Sequence, residues 1–217
     1  MTIASARSRT RSRLAQRAAR LLLAIGANIE VVGAERVPAQ GPLIVAGNHL
    51  SYVDALLKPS VMPRLDLNLL VWHEIEHKPF FHFFANFIGR AIYMAPTPSA
   101  VFAMRQAVAL LRAGQVVLIA PEGEVSATST LQRARPGVGY LATVTGAPVL
   151  PVASIGQENL FANARRLRRT RIQVEFGEPF VTPGTGLTQA ALAATSETIM
   201  RRIAAMLPPE YRGVYSD

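Results

Sequence analysis

Asn48-His49-Leu50-Ser51-Tyr52-Val53-Asp54 sets an imidazole and a carboxylate five residues apart, directly after the apolar run 43–46. A carboxylate beside a histidine fixes the ring's tautomer and stabilises the cation formed when the ring takes a proton. On one regular helix, five steps would put the two side chains roughly 140° apart. His49 therefore has to precede a helix that starts near Ser51, with Ser51 as N-cap and Asp54 near the third position, the capping-box relation. The chain has no cysteine, and no serine stands in a recognisable nucleophile setting. The chemistry that suits the pair is general-base activation of a hydroxyl for attack on an acyl carbon, with orientation of two substrates supplying much of the rest. A plain helix cap with an ordinary polar residue at a strand end fits the same residues.

A second polar cluster, Pro121-Glu122-Gly123-Glu124-Val125-Ser126, follows the apolar run 116–120. Two polar loops after two buried strands point to one shared cleft, because ligands of open α/β sheets bind at the carboxyl ends of strands. There Glu122 would hold a substrate hydroxyl or orient a basic group, and Gly123 would permit close backbone approach; a simple turn is the alternative. His73-Glu74-Ile75-Glu76-His77 matches the zincin pattern HExxH, but Pro79 cuts the helix that the motif needs, so no metal site is expected. Gly137 to Ala142 fits a relaxed dinucleotide fingerprint without the strand that must precede it. GxSxG, GxxxxGK and CxxC are absent, which removes the commonest hydrolase, nucleotide and redox readings. No cofactor is expected.

The elements that must position these loops are legible as alternation. Runs 43–46, 68–71, 91–94, 116–120 and 149–154 are short and rich in Val, Ile and Leu, and the longer ones lack polar alternation, so they are strands buried on both faces. Helical patterns occupy 54–57, 79–88, 99–111, 138–145 and 187–207. The fold class is α/β, a single domain with a mostly parallel central sheet flanked by helices. Half of the 217 residues are apolar and 17% are charged, as one globular body requires.

Twenty-three basic and fourteen acidic residues give a net charge of +9, and six arginines in the first twenty residues carry +6 of it. Residues 13–25 read as a helix with Leu14, Ala18, Leu21, Leu22 and Ile25 on one side and Arg13, Arg17 and Arg20 on another. Residues 1–28 are thus a basic tail and an amphipathic helix that either lies on a membrane surface or packs on the domain of residues 29–217. Its apolar stretch is too short to span a bilayer. A second run, Arg165, Arg166, Arg168, Arg169 and Arg171, is a solvated edge or a further contact with headgroups or an acyl carrier. Neither run is interleaved with aromatics, which disfavours nucleic acid.

Asn48 through Asp54 resembles the NHxSxxD motif of the phospholipid/glycerol acyltransferase family, which includes the bacterial lysophosphatidate acyltransferases. Pro121-Glu122-Gly123 with Ser126 resembles that family's FPEGTRS block, and residues 147–152 resemble its VPVVPV strand. Glu74, Pro79-Phe80-Phe81 and Gly89 follow its order, and the similarity runs from about residue 29 to 215. The resemblance implies His49 as catalytic base and Asp54 as its orienting acid. It also implies an acyl thioester on coenzyme A or acyl carrier protein as donor, and a lysolipid acceptor at the cytoplasmic face of the membrane. Asn48, Ser51, Glu122, Gly123, Ser126 and Arg135 would line the substrate site. The family's two phosphate-binding arginines are replaced by Ala95 and Val125. Either Arg90, Arg133 or Arg135 takes their place, or the acceptor lacks a phosphomonoester. A non-catalytic lipid-binding protein of the same fold is the alternative from another class.

Overall fold

The computed structural model describes residues 3–73, 77–95, 99–184 and 186–216, and for 3–9 the backbone only. Its order is α1 (Ile3–Gly26), β1 (Ala27–Val32), β2 (Leu43–Gly47), α2 (Asp54–Val61), β3 (Leu67–Trp72), α3 (Pro79–Ile88), β4 (Arg90–Met94), α4 (Ser99–Arg112), β5 (Val116–Ile119), α5 (Gly137–Thr145), β6 (Val149–Ile155), α6 (Leu160–Arg165), β7 (Thr170–Phe176) and α7 (Gln189–Ala205). Seven strands form one sheet in the order β1-β7-β6-β2-β5-β3-β4. The pairings are parallel except β6 with β7. The mostly parallel α/β sheet read from the sequence is therefore present.

Period-2 alternation divides the core between the two faces. Leu43 and Val45 point toward α1 and α2, whereas Ile44 and Ala46 point toward α4, α5 and α7. After β2 the chain crosses to the first layer, and after β5 to the second. The loops leaving these adjacent strands therefore diverge, and a crevice opens between them at their carboxyl ends. That is where both polar clusters sit.

Three elements differ from the sequence reading, one of them the short helix α6, where no helical pattern is read. Residues 27–32 form β1, which lacks a continuous apolar run because it is an edge strand with a mixed pattern. α1 covers the segment 13–25 read as amphipathic, and the side of it that packs is not the leucine stripe. Ser12, Ala15, Ala19 and Leu23 are buried, while Leu14, Leu21, Leu22 and Ile25 stay exposed. Small residues let α1 approach α2 and α3 closely. Gln16 Nε2 meets the carbonyls of Pro59, Met62 and Arg64 at 3.0–3.2 Å, serving the end of α2. The open carbonyls at the end of α1 accept from Arg169, Ala24 O at 2.6 Å and Ala27 O at 2.9 Å, a cationic cap suited to a helix C-terminus. One arginine of the second basic run thus has a structural partner.

Ala19 is fully buried, so Ala19→Leu should overpack the α1 seam and lower stability by about 1–3 kcal/mol. Leu21→Ser on the outer side should stay within about 0.5 kcal/mol of the parent in urea unfolding. Equal losses from the two variants would mean that α1 docks through its other face.

Candidate active site

Asp54 is the first residue of α2 and its side chain is 4% exposed. Its carboxylate folds back over the preceding loop. Oδ2 accepts from the Ser51 backbone N–H at 2.9 Å and faces His49 Nδ1 at 3.3 Å. Oδ1 accepts from Ser154 Oγ at 3.1 Å, from Gln157 Nε2 at 3.0 Å, and from Lys58 Nζ one turn along the helix. Only half of the expected capping box forms. The Asp54 carboxylate reaches back to Ser51, but Ser51 Oγ accepts from the nearby Val53 N–H at 3.3 Å and caps no helical amide. The reason is local: the amides of Asp54, Ala55 and Leu56 donate to carbonyls three residues back, so the chain enters α2 through a tight 3₁₀-type turn and the Ser51 hydroxyl meets the amide two residues on.

Burial by itself would push the Asp54 carboxyl upward. The Lys58 charge, helped by the His49 hydrogen bond and charge, outweighs it and holds the group well below the usual carboxylate range. Lys58 Nζ also donates to Asn48 O at 2.7 Å. The Asn48 amide is turned away from the cleft and pairs with β6. Its Nδ2 donates to Ser154 O at 2.8 Å, and its Oδ1 accepts from Ser154 N–H at 2.9 Å.

The second loop clamps the first. Glu122 is almost wholly buried. Its Oε1 accepts from the His49 backbone N–H and its Oε2 from the Gln132 N–H, both at 2.8 Å. Ser126 N–H donates to His49 O at 2.8 Å, so the histidine backbone is held on both sides. Ser126 Oγ in turn donates to Thr130 O at 2.7 Å. Both Glu122 oxygens thus face backbone amides, those of His49 and Gln132, rather than open cleft. Burial is the main cause that raises its carboxyl to about 7, against the two backbone hydrogen bonds that lower it.

Gly123 has a positive φ of 77°, and a Cβ there would lie 2.6 Å from Arg135 Cδ. Glycine at this point admits Arg135, whose Nε donates to Glu122 O at 3.2 Å and whose guanidinium pairs with Glu124 at 3.6 Å. Of the three arginines considered as replacements for Ala95 and Val125, Arg135 reaches the cleft rim. Arg133 and Arg135 are both exposed, but Arg135 is the one bonded to the loop of Glu122 and Glu124, and Arg90 opens β4 at the amino end of the sheet, away from His49.

A cavity of about 280 Å³ joins these parts. His49, Asp54 and Lys58 are among its polar lining, and Leu69, Val71 and Trp72 are among its apolar walls. The His49 ring is 20% exposed, so it is reachable without being flooded. Among the described residues, no group of three or more His, Asp or Glu side chains is arranged to hold a metal ion. α3 begins at Pro79, after His77, and Glu74, on which the HExxH and family readings both fall, lies outside the described residues.

An α/β layer fold with a His-Asp pair at the strand crevice defines the class. Residues 28–155 match the family described as Acyltransferase. The chain belongs to that family. It is 26% identical over 137 residues to the 1-acyl-sn-glycerol-3-phosphate acyltransferase of Borreliella burgdorferi, a match covering 63% of this chain and 54% of that one. The chain thus spans about half the length of this curated relative. The crystal structure of the 1-acyl-sn-glycerophosphate acyltransferase PlsC from Thermotoga maritima shares the fold, with a TM-score of 0.67, 22% identity, and coverage of 90% of this chain and 79% of that one.

Sequence reasoning missed Lys58, Ser154 and Gln157. Lys58 carries a local signal, a lone cation four residues after Asp54 in an otherwise apolar helix. Ser154 and Gln157 carry none, being 100 and 103 residues away from the aspartate.

The raised Glu122 carboxyl makes a signed prediction. A folded-state value above the ordinary one, about 7 against 4.5, stabilises the fold fully below about pH 4.5, and that stability is lost as pH rises through about 7. This slope is up to about 1 kcal/mol per pH unit. In Glu122→Gln the slope between pH 5 and 7 should flatten, read by urea unfolding at several pH values. An unchanged slope would assign it to another group.

Proposed function

We propose that this acyltransferase moves a fatty acyl group from a thioester of coenzyme A or acyl carrier protein to a hydroxyl of a lysophospholipid, with His49 as general base and Asp54 as its partner. The observation that carries this reading is the His49 Nδ1 to Asp54 Oδ2 contact at a cavity lined by both polar and apolar side chains. With Nδ1–H turned to the carboxylate, Nε2 bears the lone pair. It takes the proton of the acceptor hydroxyl as the oxygen attacks the thioester carbonyl. The C–S bond then breaks, and the departing thiolate takes the proton back. No metal or redox group is part of this scheme. A separation of 3.3 Å is long for a charged pair and is of the kind that tightens when substrate is bound. Asn48, Ser51, Glu122 and Ser126 act in this reading by fixing the loop, whereas Gly123 and Arg135 shape the acceptor side of the mouth.

The curated relative, whose name specifies 1-acyl-sn-glycerol-3-phosphate, supports that compound as the acceptor. One observation favours a second reading within the same class. Glu124 pairs with Arg135, and Val125 lines the cavity where the family motif has an arginine. A phosphomonoester would have to displace that carboxylate, so a lysolipid with a neutral or amine-bearing headgroup fits the mouth as well.

Membrane attachment is peripheral in this proposal. Among the described residues, no helix is long and apolar enough to cross a bilayer. Leu14, Leu21, Leu22 and Ile25 are exposed on α1, with Arg13, Arg17 and Arg20 also at the surface. Each arginine near an anionic leaflet contributes about 1 kcal/mol. β1 and β7 run opposite to the other strands, so the C-terminal end of α1 lies at the same end of the sheet as His49. Lipid bound there would be near the cavity.

His49→Ala should lower transfer of labelled acyl groups from acyl-CoA to 1-acylglycerol-3-phosphate by on the order of 10² to 10⁴; full activity in the purified variant would remove His49 from the mechanism. The same preparation of parent enzyme, offered an acceptor panel, should prefer phosphate-bearing lysolipids, and turnover confined to neutral or amine-bearing acceptors would select the second reading. Leu21→Ser with Ile25→Ser should weaken flotation with anionic vesicles at least tenfold, two partly buried apolar side chains being worth roughly 3 kcal/mol. Undiminished flotation would place the lipid contact elsewhere.

A further inference from the structure

Lys58 is a cation among the buried residues of α2, and its side chain is 3% exposed. Its stem crosses Gly47, where a Cβ would stand 2.8 Å from Lys58 Cε, so the end of β2 leaves room for it. Its ammonium group lies between Asn48 O and Asp54 Oδ1, and it forms part of the cavity wall beside His49. A buried ammonium is expensive unless paired. Here it has a carboxylate, a carbonyl, and a cleft that was built around it.

We propose that Lys58 is a positioning residue of the acyl-transfer site. It occupies Asp54 Oδ1, leaves Oδ2 to His49, and sets the pH range over which His49 can act as a base. The inference rests on His49 acting as the base.

The charge balance gives the direction. Beside Asp54 alone, protonating His49 would turn a local charge of −1 into zero. Beside the Asp54–Lys58 pair it turns zero into +1. In a buried site the second change is the less favourable, so Lys58 favours the neutral imidazole, the form able to take a proton from a hydroxyl. The dyad keeps its geometric benefit without over-stabilising the protonated ring. Among the described residues, the other groups around His49 do not do the same. Glu122 faces its backbone N–H and would favour the cation when ionised. Glu124 and Arg135 pair with each other at the rim, and Lys78 sits over the Tyr52 ring at 3.3 Å. β6 and the turn after it offer only neutral Ser154 and Gln157. The latter two also explain why Asp54 would keep its position without Lys58, since they and Ser51 N–H still hold both of its oxygens.

The test is the pH profile of kcat/KM for acyl transfer from acyl-CoA to 1-acylglycerol-3-phosphate, measured for the parent, Lys58→Met and Lys58→Arg. Lys58→Met should retain activity within about tenfold on the plateau, the loss expected for a missing hydrogen bond, while its acid limb moves to higher pH by about one unit, the size of a neighbouring-charge effect. Lys58→Arg keeps the charge and should keep the parent limb even if its plateau falls. Lys58→Gln, which is neutral but retains a donor, serves if the methionine variant does not fold and should show the same upward movement. Repeating the pair in a Glu122→Gln background removes the other carboxyl that titrates near neutrality. A neutral variant whose rate drops equally at every pH, with the limb unmoved, would reduce Lys58 to a packing role and overturn the proposal. Full activity of His49→Ala would instead overturn the reading of the base, so the two failures are distinct.

Discussion

One buried carboxylate joins the halves of the active site. Asp54 receives hydrogen bonds from its own loop, from the next turn of its helix, and from a strand and turn about a hundred residues further on. A lone ionised carboxylate at this depth would carry a desolvation penalty of several kcal/mol. Four donors besides His49 remove most of that penalty and restrict where the group can point. The geometry of His49 follows from that restriction, as do the tight entry into α2 and the alignment of β6 beside β2.

The second constraint is backbone rather than charge. Glu122 and Ser126, on the loop after β5, hold the N–H and C=O of His49. Both loops can meet because the chain leaves β2 and β5 toward opposite layers, which opens a crevice between neighbouring strands. A residue type that looks catalytic in the sequence is here a clamp, while Gly123 is needed to admit an arginine side chain. Much of the polar cluster holds the His49 backbone in place beside the cavity. In such a site, preorganised position contributes to rate as directly as acid-base strength does.

The N-terminal helix shows how one pattern can satisfy two requirements. Its small residues face α2 and α3, and its leucines face outward beside arginines. Packing on the body and presenting a basic, apolar surface were opposed readings of the sequence, yet a helix has enough circumference for both. Gln16 near its middle and Arg169 at its C-terminal end add polar contacts that tie it to the domain.

The strands read from continuous Val, Ile and Leu runs, the helix 79–88, and the His49–Asp54 pairing were all written in local spacing, because burial on two faces and helical periodicity are properties of short windows. So was the loss of the motif arginines at Ala95 and Val125. Three things were decided only by tertiary structure: that β1 is a strand, that α1 docks through alanines, and that Asp54 is shared between His49, Lys58, Ser154 and Gln157. Each depends on what lies across a contact from a residue distant in the chain. Sequence spacing records which side of an element is apolar, but not which partner will arrive to satisfy a buried charge.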